Sequence, residues 1–234
     1  MSLGIRGLLM DVNVVLDYSE YVNNIASMLK REYPIREDTE SIAKKLRNEI
    51  ERRYVNAIAR GQFRNMKEII RDSVRRLLEE NNIVIGPTEL GFLADSAMTC
   101  MINAAKPYQD SEEALAKLRQ RGMSLCIVTN LDGDVARKML ISSGLFKYFI
   151  GVVSADVTGV PKPNRKIFQV ALKKMRCKPT QVLVVGTSWE DILGGKTAGI
   201  KTILLTRGRD IQTSVAPDLT LNNLSDLLKI LGIV

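Results

Sequence analysis

The chain has 234 residues, 45% of them hydrophobic and 26% charged, with a formal charge of +8, three cysteines and no histidine. That length buries a sizeable core without staples, the composition is that of a soluble globular protein, and no apolar run approaches the roughly 18–20 residues of a membrane span, so a cytoplasmic protein is expected. Cys100, Cys126 and Cys177 are far apart and odd in number, which excludes a paired disulfide framework; the missing histidine makes zinc unattractive and removes Ser-His-Asp and Cys-His triads.

Residues 5–10 read as a short buried strand that stops at Asp11, within GLLMDVNVVLD. From about Tyr18 to Ala105 the periodicity is helical, with helices expected at 18–31, 38–60, 65–81 and 88–104 and breaks at Pro34, Gly61 and Gly86-Pro87. In the second helix Ile42, Leu46, Ile50, Val55 and Ile58 form one apolar stripe. Lys30 to Arg76 carries 14 Lys and Arg against 8 acids, but the signs are mixed at helical spacing with little aromatic interleaving. That pattern reads as solvated helix faces, not as a nucleic-acid surface.

After Pro107 strands and helices alternate: helix 111–121, strand 124–129, helix 134–143, strand 150–154, helix 164–174, strand 181–185, helix 190–198, strand 201–205 and helix 225–231. Strands of Val, Ile and Leu between amphipathic helices specify a parallel sheet covered on both faces. The expected fold class is α/β, a doubly wound, Rossmann-like parallel sheet made by residues 1–17 and 105–234, with an all-helical domain, 18–104, inserted after the first strand. Met1, Ser2 and Leu3 carry no functional weight.

Folds of this kind bind ligands at the carboxyl ends of their strands. Those positions hold Asp11, Thr129-Asn130, Lys162 in the loop after the strand at 150–154, and Gly186-Thr187-Ser188 with Asp191. A carboxylate can attack phosphorus or carbon, hydroxyl and amide groups can hold an anionic oxygen, and lysine can neutralise charge around both. Taken singly each residue has a plain structural role open to it, as a cap, a strand end or a solvated lysine. Trp189 reads as packing.

The segments LLMDVNVVLD, LCIVTN, GVPKPNRKIF and VLVVGTSWEDILGGKTAG resemble the four motifs of the haloacid dehalogenase superfamily, in the branch with a helical cap after the first strand. The resemblance implies that Asp11 is the nucleophile and forms an aspartyl-phosphate. It also implies that Thr129, Asn130 and Lys162 hold and neutralise the phosphoryl group. Magnesium would be held by Asp11, the backbone carbonyl of Asn13 and the fourth motif. Two positions depart from the family pattern. Asn13 stands where a second Asp would shuttle the proton, and an amide cannot do so, which lowers that step about 10²- to 10⁴-fold. Thr187 replaces a magnesium ligand, leaving Asp11 and either Asp191 or Glu190, so magnesium is expected but weakened.

Three readings are open. The first is a phosphatase-type hydrolase of a small anionic, phosphorylated metabolite, for which acyl phosphates would need the lost acid least. The second is metal-independent displacement of halide from a 2-haloacid, although an aromatic residue usually stands at the position of Asn13 in that group. The third is a non-catalytic binding module. Among Arg31, Arg52, Arg53, Arg60 and Arg64 one could meet a second anionic group of the substrate. Neither a membrane nor a nucleic acid is expected as partner, and the oligomeric state is open.

Overall fold

The strand that opens the core, Gly7–Met10 (β1), is buried along its whole length, as a parallel strand covered by helices on both faces must be. In the computed structural model, which describes residues 4–233, it is followed by a 3-10 turn at Val12–Val14 and a two-residue strand, Leu16–Asp17 (β2). The assignment made above for Met1, Ser2 and Leu3 lies outside the described residues. Four helices then follow: Tyr21–Glu32 (α1), Thr39–Ala59 (α2), Met66–Glu80 (α3) and Pro87–Ala104 (α4). Lys106–Pro107 (β3) returns antiparallel to β2, pairing Leu16 with Pro107.

The remaining elements are Ser111–Gln120 (α5), Ser124–Thr129 (β4), Gly133–Ser142 (α6), Val152–Ser154 (β5), Ala155–Thr158 (α7), Arg165–Met175 (α8), Val182–Gly186 (β6), Trp189–Thr197 (α9), Lys201–Leu205 (β7), Leu219–Leu221 (β8) and Leu224–Ile230 (α10). The sheet has six parallel strands in the order β5-β4-β1-β6-β7-β8. It is an α/β doubly wound sheet. Met10 pairs with Ile127 on one side and Val185 on the other. The register therefore brings Asp11, the end of β4 and the end of β6 out at one edge.

The chain separates into two compact units, one made by the segments up to Asp17 and from Lys106 onward, the other by Tyr18–Ala105. Ala105, expected in the core, goes with the helices because its N–H continues α4 by donating to the Ile102 carbonyl. In the helical unit α1 packs on α2 and α4, and α3 on the same two. Asp38 and Asn65 start α2 and α3 by accepting from Ser41 N and Glu68 N, both at 2.9 Å, which satisfies amides that have no intrahelical partner. Ile42, Leu46, Ile50 and Ile58 are buried, but Val55 is 49% exposed. Five residues beyond Ile50 is about 140° off the stripe at 100° per residue, so the apolar face passes Val55 by.

Arg52 and Arg53 bind Glu49, and Arg64 binds Asp72 at 2.8 Å, so these three arginines are engaged within the helical unit. Two further differences concern element ends. The first helix begins at Tyr21, after a turn in which Tyr21 N donates to the Tyr18 carbonyl. The strand β8 was not expected, since three residues following a long polar segment carry almost no period-2 signal. Among the described residues no helix is long and apolar enough to cross a membrane.

Candidate active site

Asp11 ends β1 in extended backbone (φ −71°, ψ 154°) and caps the 3-10 turn that follows. Its Oδ1 accepts from the backbone N–H of Asn13 and from the Asn13 side-chain amide, each at 2.9 Å. The Lys162 ammonium donates to its Oδ2 at 2.6 Å. The residue is 5% exposed. Asn13 is thus a donor to the carboxylate expected to attack, and the amide, which cannot exchange a proton, helps hold that carboxylate in place.

Lys162 is 3% exposed and donates to three acceptors: Asp11 Oδ2 at 2.6 Å, Asp191 Oδ1 at 2.7 Å and the Val128 carbonyl at 3.2 Å. An ammonium has three N–H donors, and all three are engaged. Burial alone would make the ammonium easier to deprotonate, but Asp11 and Asp191 outweigh it and hold its pKa above the ordinary lysine range. Its backbone is fixed as well, because Asn130 Oδ1 accepts from Lys162 N at 2.7 Å and Asn130 Nδ2 donates to Lys162 O at 3.2 Å. The side chain expected on a phosphoryl oxygen is instead engaged at both ends with the lysine loop. Thr129, 1% exposed, ends β4, and its hydroxyl oxygen accepts from Leu131 N at 3.1 Å.

Asp191 sits in the first turn of α9. Its Oδ2 accepts from Thr187 N, Ser188 N and Ser188 Oγ at 3.1, 3.2 and 2.9 Å, while Oδ1 takes Lys162. Gly186 makes this possible, since any Cβ there would fall inside the Asp191 side chain. Burial pushes the Asp191 carboxyl up to about 6, against the pull of Lys162. Asp11, Asn13, Asn130, Lys162 and Asp191 are therefore joined in one hydrogen-bonded network. Thr187 belongs to it through its backbone, and Trp189 is half-buried at the start of α9.

These donors fit magnesium only weakly. The ion takes hard oxygen ligands in octahedral geometry and is usually held by one or two carboxylates. Thr187 offers a hydroxyl where an acid is needed, and the oxygens of Asp11 and Asp191 already accept hydrogen bonds from Lys162, Asn13, Thr187 and Ser188. Glu190, weighed above as a ligand, is 6% exposed.

Sequence reasoning missed Arg207, which follows β7 and binds the turn after Asp11. Its Nη2 donates to the Val14 carbonyl at 2.6 Å. A partner 193 positions away leaves no local pattern; the one available signal was its place after a strand end.

The chain is 34% identical to a pyrophosphatase PpaX of Halalkalibacterium halodurans over 131 residues, 55% of this chain and 61% of the relative. It is also 34% identical to a phosphoglycolate phosphatase of Aquifex aeolicus over 126 residues, 54% and 59% of the two chains. It therefore spans about three fifths of the length of these relatives. The L-2-haloacid dehalogenase of Xanthobacter autotrophicus has the same fold, with a TM-score of 0.76 at 20% identity over 97% of this chain and 98% of that one. The model of the family described as haloacid dehalogenase-like hydrolase matches residues 21–205, a span that begins after Asp11 and takes in Thr129, Lys162 and Asp191. With most of its length inside that match, the chain belongs to the haloacid dehalogenase-like hydrolases.

Proposed function

We propose that the protein hydrolyses a small phosphorylated metabolite by two displacements at Asp11. The observation that carries this reading is the buried Asp11–Lys162 pair at 2.6 Å at the tip of β1. The second carboxylate on Lys162 and the Asn13 amide keep the attacking group oriented. An Asp11 oxygen attacks phosphorus, the bond to the leaving oxygen breaks, and the leaving group departs with the electron pair. Water then attacks phosphorus, the bond to Asp11 breaks, and the carboxylate is regenerated while water's proton passes to phosphate or solvent.

Asn13 supplies no proton to the departing oxygen. The substrate class is therefore one whose leaving group is already a stable anion, an acyl phosphate or a phosphoanhydride. None of these bond changes calls on a metal, in keeping with the weak fit of the donor set. Lys162 balances the charge that builds on the phosphoryl oxygens.

The test is phosphate release from acetyl phosphate and pyrophosphate by the purified protein and by Asp11→Asn. Release that Asp11→Asn abolishes, equal in EDTA and in magnesium, is expected, together with a phosphoryl adduct on the peptide carrying Asp11. Release no greater than that of Asp11→Asn would sink the reading, and a magnesium requirement would overturn its metal-free part. The poor fit to magnesium also favours a second reading, displacement of halide from carbon by Asp11, in which the leaving group needs no proton. Chloride release from 2-chloropropionate in EDTA tests it. Inactivity in both assays leaves the binding module.

A further inference from the structure

We propose that Arg207 is a positioning residue that sets the turn carrying Asp11 and Asn13. The residue follows β7 with a left-handed backbone (φ 54°), and its N–H donates to the Asn222 carbonyl at 3.0 Å, next to β8. Few residues other than glycine adopt this conformation readily, and here it turns a long side chain inward, where it is 9% exposed.

The guanidinium makes three directed contacts. Nη2 donates to the Val14 carbonyl at 2.6 Å, Nη1 binds Asp110 Oδ1 at 2.7 Å, and the plane lies over the Tyr108 ring with its carbon 4.0 Å from the centroid. Asp110 is itself fixed, since its Oδ2 accepts from Leu224 N at 2.7 Å at the start of α10. The neighbouring Val15 carbonyl accepts from Tyr108 N at 3.2 Å and Ser111 Oγ at 2.9 Å. Two successive carbonyls after the nucleophile are thus anchored to the core from outside the turn. Val14 ends the 3-10 turn that Asp11 caps, so holding its carbonyl fixes the direction in which the Asp11 carboxylate and the Asn13 amide face each other.

The grip needs a guanidinium. A planar fork can reach a carbonyl and a carboxylate at once while stacking on a ring, whereas lysine offers a point charge. The Nε–H is buried and has no partner among the described residues. The side chain is therefore placed for its two outer nitrogens at the expense of its third donor.

The test is amide hydrogen exchange in the full chain with Arg207→Ala and Arg207→Lys. The amides of Asn13, Val14 and Val15 are each bonded inside the turn, to Asp11 Oδ1, Asp11 O and Val12 O, so their exchange reports the turn itself. Local opening should speed those amides about tenfold or more in Arg207→Ala, with β6 protection unchanged. Arg207→Lys should lie between the two proteins, and low concentrations of guanidinium ion should restore protection to the alanine variant. Unchanged exchange at residues 13–15, or a uniform rise across β1, β4 and β6, would overturn the proposal. If Arg207→Ala does not fold, Arg207→Lys is judged by the same two outcomes. A second arm rests on the proposed acyl phosphate activity: kcat should fall with KM unchanged. Faster exchange in a protein without turnover supports the positioning role and counts against the function alone.

Discussion

Asn13 sits at hydrogen-bond distance from the group it supports. As a donor to Asp11 Oδ1 at 2.9 Å it holds the carboxylate in place, but it cannot protonate a leaving oxygen or activate water. Asn13→Asp would restore a titrating oxygen at that point, and turnover of a monoester with a poor leaving group should then rise by about 10² or more, the lower end of what a general acid contributes. A phosphate-release assay comparing Asn13→Asp with the native chain on an alkyl phosphate checks this. Equal rates would place the defect elsewhere, first at Thr187. The sequence alone marks Asn13 as an amide where the resembled family has an acid, because identity is all a sequence carries. That its amide would turn back onto Asp11 is a matter of side-chain direction, and it appears only once the 3-10 turn is built.

At the scale of elements, α9 depends on one close approach. Its first-turn acid, Asp191, accepts three hydrogen bonds from Thr187 and Ser188 directly over Gly186. Gly186→Ala should lower unfolding stability by about 1–3 kcal/mol, as overpacking does; urea melts would show it. It should also reduce activity, because the same carboxylate holds Lys162. A variant as stable as the native chain would show that the helix start relaxes freely. The strands β4 and β7 were legible to the residue, since each holds a continuous apolar run, residues 125–128 and 203–205, and lies between turn residues. Asp11, Lys162 and Asp191 were legible as strand-end residues. The Val128 carbonyl and Arg207 were not, because a backbone acceptor has no residue type to read and Arg207 finds its partners through the packed sheet.

At the scale of the molecule, the two units carry buried carboxylates that answer pH in opposite senses. Burial would raise the Asp72 carboxyl, but hydrogen bonds from Arg64 and Arg71 prevail and hold it below the ordinary 3.8. Its stabilisation is thus present above about 4 and is lost as pH falls through the folded value. Asp191 is raised from 3.8 to about 6, so its contribution is full below about 4 and is lost as pH rises through 6. Between neutral pH and pH 3 the helical unit should therefore weaken while this term in the core strengthens. Hydrogen exchange at the two pH values, normalised for intrinsic rates, should show α3 losing protection relative to β6; the reverse order would contradict the assignment. Lys162 draws on the ends of β1 and β4 and on α9, so its surroundings exist only in the assembled sheet. With every N–H already engaged, an arriving anion finds no vacant donor there. In the proposed reaction, recognition at this lysine is a substitution, in which the newcomer must evict an acceptor, and the Val128 carbonyl, the most distant of the three at 3.2 Å, is the one to give way. Selectivity in that reaction would lie in a competition against the protein's own backbone, which a weakly basic oxygen loses and a phosphoryl oxygen wins.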